Sequence, residues 1–234
     1  INLGVFLNPC DSVYKEVTMS HLHIAAAQYS GQHQSVDDHI THHLRFIAEA
    51  ARQGCDLLVF PELSLTGAGT TTLPLPPGDA QLEPLLDAAH RYRITVIAGL
   101  PVERDGQRQK GLALFTPARQ RILRYPQGGG ASLVPGEKQL SIIDAHADSP
   151  NLDPRASLFT SCQSVEDNRW RQSISTLQRF AHKYAIAVLM ANACGGSALW
   201  DEKGQLIVRA DQGELLLTGT LGGEGWQGDI IPLG

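Results

Sequence analysis

The chain has 234 residues, 42% of them hydrophobic and 18% charged, with a formal net charge of -5. That composition belongs to a folded domain with a sizeable core and excludes a disordered chain. The acidic balance and the absence of any basic run argue against a nucleic-acid surface, and no apolar stretch approaches the roughly 20 residues that cross a bilayer.

The first methionine is Met19, and strand-like sequence begins just after it, so residues 1–18 read as an N-terminal extension, residues 19–218 as one domain and residues 219–234 as a tail. The extension lacks the basic stretch and apolar core of a signal peptide. Residues 23–28 (HIAAAQ) predict a short buried strand. A helix follows, with Ser35 as N-cap, Asp37 and Asp38 at the positive end of its dipole, and an apolar stripe of Ile40, Leu44, Ile47, Ala48 and Ala51. Gly54 ends it. Residues 56–60 (DLLVF) form the continuous apolar run of a strand covered on both faces.

A second helix is expected over residues 80–92, then a buried strand over 94–100 and a strand pair at 112–115 and 121–125, turning at Pro117. Short strands are expected at 140–143 and 157–160, a third helix at about 168–183, and a buried strand at 185–191. Strands at 198–200, 206–210 and 214–217 follow, with the glycine-rich residues after them read as a tail or an arm that packs on a partner chain. Early alternation of strands and helices with hairpin-like strands later predicts an α/β layered sandwich with mixed sheets.

The segment from Cys55 to Gly67, CDLLVFPELSLTG, ends a buried strand in Phe60-Pro61-Glu62-Leu63. It resembles the first catalytic motif of the nitrilase, or carbon–nitrogen hydrolase, superfamily. Pro135-Gly136, the Trp170-led helix, and Ala191-Asn192-Ala193-Cys194-Gly195 are similar to later features of that family. The resemblance implies a four-layer α-β-β-α sandwich, association into a homo-oligomer, and a Glu-Lys-Cys triad acting on a small amide or nitrile without any cofactor. In that chemistry the carboxylate takes the thiol proton and the thiolate attacks carbon. The lysine and a backbone N–H hold the oxyanion. Ammonia or an amine leaves, and water then cleaves the thioester.

Glu62 is the position that matches the general base. Gln127 stands where the lysine belongs, in Tyr125-Pro126-Gln127, and His146 stands where the cysteine belongs, in Ala145-His146-Ala147-Asp148. A glutamine donates a hydrogen bond but carries no charge, and losing one oxyanion donor costs on the order of 3 kcal/mol. Lys138 is a downstream substitute for the lysine, and Cys162, after the strand at 157–160, is the reserve nucleophile. The competing expectation is a catalytically inactive relative that binds a small amide or carboxylate near Glu62.

Other constellations carry less. Cys10, Cys55, Cys162 and Cys194 form no Cys-x-x-Cys pair and read as reduced thiols of a cytoplasmic protein. His39, His42 and His43 lack a third ligand motif and read as an exposed polar helix face rather than a metal site. The glycines from 128 to 136 miss the spacing of a phosphate loop, and no GxSxG elbow occurs.

Overall fold

Apolar side chains on both faces of a strand demand a cover on both sides, and the fold answers that demand with four layers. The computed structural model describes residues 22–30, 35–69, 72–127, 131–133, 140–142 and 156–233. The expected extension at residues 1–18, Met19, Pro135-Gly136, Lys138 and His146 lie outside the described residues.

In chain order the first half comprises β1 (Leu22–Gln28), α1 (Val36–Arg52), β2 (Leu57–Val59), α2 (Asp79–Tyr92), β3 (Thr95–Arg104), β4 (Gln107–Phe115) and β5 (Leu123–Pro126). The second half comprises β6 (Ala131–Leu133), β7 (Leu140–Ile142), β8 (Leu158–Gln163), α3 (Asp167–Tyr184), β9 (Ala187–Asn192), β10 (Ala198–Trp200), β11 (Leu206–Arg209), β12 (Leu215–Gly222) and β13 (Gly225–Pro232). One sheet has seven strands in the order β13-β12-β1-β2-β3-β4-β5, the other six in the order β11-β10-β9-β8-β7-β6. Strands β1, β2 and β3 are parallel neighbours, as are β7, β8 and β9.

Three buried clusters mark the three interfaces between layers. Ile40, Phe46 and Ile47 of α1 and Leu82 and Leu85 of α2 pack on Ala25, Leu58 and Val96 of the seven-stranded sheet. Ile24, Leu57, Val59 and Ile97, on the opposite face, meet Leu158, Leu189 and Leu199 of the second sheet. Leu177 and Ala181 of α3 cover Phe159, Val188 and Trp200 on that sheet's far side. The period of two splits one apolar run between two interfaces: Leu57 and Val59 face the other sheet, while Leu58 faces the helices. Each such side chain contributes about 1.5–3 kcal/mol on burial. This is the expected four-layer α-β-β-α sandwich. No described helix is long and apolar enough to cross a membrane.

Helix α1 starts as expected, with Asp38 N donating to Ser35 Oγ at 3.1 Å. Its buried stripe is rotated, however. His39, His42 and His43 are 2%, 7% and 0% exposed, whereas Ala48 faces solvent. The expectation of an exposed histidine face is thus corrected. His43 lies buried because its polar atoms are served inside: Nδ1 lies 2.7 Å from the His39 carbonyl and Nε2 3.0 Å from Ser64 Oγ. Its ring stacks on Phe60 with centroids 3.9 Å apart.

The C-terminal residues also differ from the expected tail. Strand β12 runs on to Gly222 and turns into β13, which pairs with it antiparallel over its whole length. Glycine density hides these strands in the sequence, yet two of the glycines are packing requirements. A Cβ at Gly219 would stand 2.5 Å from Leu199 Cδ2, and one at Gly228 would stand 2.3 Å from Val208 Cγ1. The two sheets approach closely there, and only hydrogen fits. Replacing Gly228 with valine is therefore expected to destabilise the fold by about 1–3 kcal/mol through overpacking. Urea unfolding would read this as a lowered midpoint with an unchanged slope.

Candidate functional site

Strand β2 ends at Val59, and its last residues anchor the next turn to β3. Phe60 N donates to Ile97 O at 2.8 Å, and Leu65 N donates to Gly99 O at 2.9 Å. Between these bonds the chain folds into a tight turn with Leu63 in the left-handed region at φ 52°. Gly67 N closes it on Leu63 O at 2.8 Å. The turn sits directly over Gly99. A Cβ at that glycine would lie 2.3 Å from Leu63 N, 2.6 Å from Pro61 O and 2.8 Å from the Glu62 carbonyl carbon.

Polar groups behind the turn hold it in place. Gly99 N donates to Ser64 Oγ at 3.2 Å, and Tyr29 OH donates to Ser64 O at 2.9 Å. A carbonyl can only accept, so His43 Nδ1 carries the proton it offers to His39 O, while Nε2 bonds Ser64 Oγ on the other side of the ring. Burial pushes the Tyr29 hydroxyl far above its usual range; its bond with Ser64 opposes that shift and the charge of Glu214 adds to it. Tyr29 therefore stays a neutral donor at any ordinary pH.

The turn presents Glu62 at the ends of β2, β8 and β9. Glu62 N donates to Gln163 O at 3.3 Å, which ties the two sheets together at this point. The carboxylate is held from the other side by the β4–β5 pair. Lys110 Nζ donates to Oε1 at 2.7 Å, and Gln127 Nε2 donates to Oε2 at 3.1 Å. Gln127 Nε2 also lies 3.5 Å from the Cys162 carbonyl oxygen. Gln127 Oε1 is buried and has no hydrogen-bond partner among the described residues. The Glu62 side chain is 16% exposed and that of Lys110 50%. An ion pair so open to water contributes only about 0.2–1 kcal/mol to stability.

Glu62 borders two cavities. The larger, about 600 Å³, is lined also by Lys110, Gln163, Glu166, Arg169 and Gln172. The smaller, about 200 Å³, is lined also by Tyr29, Ser64, Ser164, Ala193 and Cys194. Asn192, at the end of β9, fixes the wall they share. Its Oδ1 accepts from Val165 N at 2.8 Å, and its Nδ2 donates to Val165 O at 3.0 Å and to Gly195 O at 2.6 Å. The larger cavity has the size of a small-ligand site and carries charges of both signs.

The structure thus brings Glu62, Gln127 and the main chain of Cys162 together. The Cys162 side chain is buried and belongs to the cluster between the sheets. Cys194 is exposed. His146 lies outside the described residues. Lys110 was missed by the sequence reading, which began its strand at residue 112, after the polar run QRQK. The signal was Asp105-Gly106. Both residues have positive φ, 53° and 74°, the conformation of a two-residue hairpin turn. That turn pairs Gln107 with Arg104 and Lys110 with Pro101, and so extends β4 outward to include the lysine.

Comparison with known proteins agrees with this architecture. The carbon–nitrogen hydrolase family model matches residues 23–125. The amidase NitN from Nesterenkonia sp. AN1 superposes with a TM-score of 0.69 at 20% identity, over 84% of this chain and 91% of that one. A double mutant of the Nesterenkonia sp. AN1 amidase in complex with acrylamide gives a TM-score of 0.71 at 20% identity, over 87% and 92%. The glutamine-dependent NAD+ synthetase of Acinetobacter baumannii, in complex with ADP, gives 0.70 at 14% identity, over 88% of this chain but 47% of that one.

Two measurements follow from the geometry. Gly99→Ala drives a Cβ into backbone atoms that cannot swing aside, so it is expected to cost about 1–3 kcal/mol in urea unfolding, more than loss of the exposed Lys110 pair. Burial, aided by the charges of Asp56 and Glu49, pushes the Cys55 thiol up to about 12 from its ordinary 9.0. The neutral thiol is the form folding favours, so this stability is complete below about pH 9 and is lost as pH rises toward 12. Iodoacetamide at pH 8 is expected to label Cys194 in the native protein and to spare Cys55 until the chain unfolds, as read by peptide mass spectrometry.

Proposed function

We propose that this chain, whose residues 23–125 match the carbon–nitrogen hydrolase family model and whose fold is similar to that of the amidases above, belongs to the nitrilase, or carbon–nitrogen hydrolase, superfamily and hydrolyses the carbon–nitrogen bond of a small amide with Glu62 as the proton acceptor. One observation carries the reading. A carboxylate held by two side-chain donors stands at the common rim of two cavities, on a turn too constrained to move. A general base needs a fixed position within reach of the proton it takes, and the seat over Gly99 supplies one. The relatives described as amidases share the fold, which supports the choice of an amide.

The attacking group is a thiol or a water whose proton passes to Glu62. Among the described residues Cys194 lines the smaller cavity, whereas Cys162 meets Gln127 through its carbonyl and packs its thiol between the sheets. Attack by a thiol forms an acyl thioester and expels ammonia or an amine, which takes the proton back from Glu62; water then releases the acid. Direct attack by water reaches the same products without an adduct.

A second reading is binding without turnover. It is favoured by the packing of Cys162 between the sheets and by the neutral glutamine at position 127. Both readings predict saturable binding of short aliphatic amides, and they part on ammonia release. The hydrolase reading expects steady ammonia production from such a panel and a loss of about 10²–10⁴-fold in Glu62→Gln, the range of a general base. Turnover that survives in Glu62→Gln would remove the role given to that residue. Amide binding in calorimetry with no ammonia released over days would decide for the binding protein.

A further inference from the structure

A carbonyl carbon under attack moves its π electron pair onto oxygen, and the new negative charge needs a donor within reach of the base that started the reaction. The position expected to hold that donor is Gln127, which is neutral. We propose that Lys110, reaching in from β4, supplies the positive charge of this site and receives the developing oxyanion, with Gln127 as its neutral partner on β5. The proposal rests on the amide reading above.

The strand register brings the two residues together. Gly111 pairs with Pro126, and Gln127 N donates to Lys110 O at 2.8 Å, so Lys110 and Gln127 are cross-strand neighbours. Such neighbours point to the same face of a sheet. Here both side chains end on Glu62, one on each carboxylate oxygen. A charge at either position therefore reaches the same place. An ammonium has three N–H donors, and Glu62 takes one of them. Lys110 also lines the larger cavity beside Glu62. Among the described residues Arg169 is the other cation on that wall, but it stands on the first turn of α3, and no hydrogen bond or ion pair joins it to Glu62.

The step conserves atoms and charge. The nucleophile gives its proton to Glu62 and bonds to carbon. The carbonyl pair moves to oxygen, which accepts a hydrogen bond from Lys110 with no proton transferred. The pair then returns as the carbon–nitrogen bond breaks, and the leaving nitrogen takes the proton from Glu62. The charge lands on the same oxygen whether sulfur or water attacks. The exposure of the Lys110–Glu62 pair means that stability alone gives little reason for it.

The test moves the charge across the strand pair. Wild type, Lys110→Gln, and the double variant Lys110→Gln/Gln127→Lys are compared in amide turnover and in urea unfolding. Lys110→Gln is expected to lower kcat by about 10²–10³-fold with little change in KM or unfolding midpoint, and the double variant to recover at least tenfold of that loss. Retention of more than a third of kcat in Lys110→Gln, or no recovery in the double variant, overturns the proposal. A second readout separates it from the amide reading. Propionaldehyde takes up a nucleophile to form a tetrahedral oxyanion but has no carbon–nitrogen bond to break. Its binding, measured by calorimetry, is expected to weaken at least tenfold in Lys110→Gln and to return in the double variant. If wild type turns over no amide yet shows that Lys110-dependent binding, the amide reading alone fails. If the aldehyde binds equally to all three proteins, or to none, Lys110 has no such role.

Discussion

The site depends on an empty volume. Gly99 has no side chain, and the turn carrying Glu62 fills the space that one would occupy, with backbone atoms of residues 61–63 pressed against β3. Backbone placed this closely cannot be repositioned by rotamer changes, so the carboxylate inherits the rigidity of the sheet. Leu63 takes up a left-handed conformation, a local strain on the order of 1 kcal/mol or more for a residue with a Cβ. The bonds from Phe60 and Leu65 to β3 and from Glu62 to β8 hold it there.

Behind the turn lies a polar cluster inside an otherwise apolar interface. Tyr29, His43, Ser64 and the Gly99 amide satisfy one another, and Phe46 and Phe60 close around them. Unpaired, any of these groups would cost about 1–3 kcal/mol to bury. Satisfied, they fix the orientation of the turn more narrowly than hydrocarbon packing would, because hydrogen bonds are directional. The cluster thus links α1 to the position of Glu62 without touching the cavities through histidine. Tyr29 and Ser64 alone belong to both the cluster and the smaller cavity wall.

In front of the turn the balance is electrostatic. The larger cavity is lined by the paired Glu62 and Lys110 and also by Glu166 and Arg169. A wall that carries both donors and acceptors suits a ligand that carries both too, as an amide does. Exposed ion pairs add little to folding, so the arrangement is better explained by what enters the cavity than by stability. A fold shared with amidases at about 20% identity does not assign chemistry by itself; the assignment rests on the carboxylate, its two donors and the space beside them.

Much of this was legible in one dimension. The apolar run of β2, the Pro61-Glu62-Leu63 segment after it and the Ser35 cap are local signals, and local physics sets them: period, capping and the need to cover two faces of a strand. What the sequence hid was decided by neighbours distant along the chain. His43 reads as polar and surface-bound until Ser64 and Phe60, which come after it, supply its partners. Residues 219–232 read as a glycine-rich tail until the opposing sheet shows that Gly219 and Gly228 are where two sheets touch. Lys110 sits in a charged run that looks like solvent-exposed loop, and only hairpin register brings it to Glu62 and Gln127. The sequence alone determined most of the elements and singled out the carboxylate; tertiary structure alone decided which cation stands beside it, because that depends on strand pairing rather than on distance along the chain.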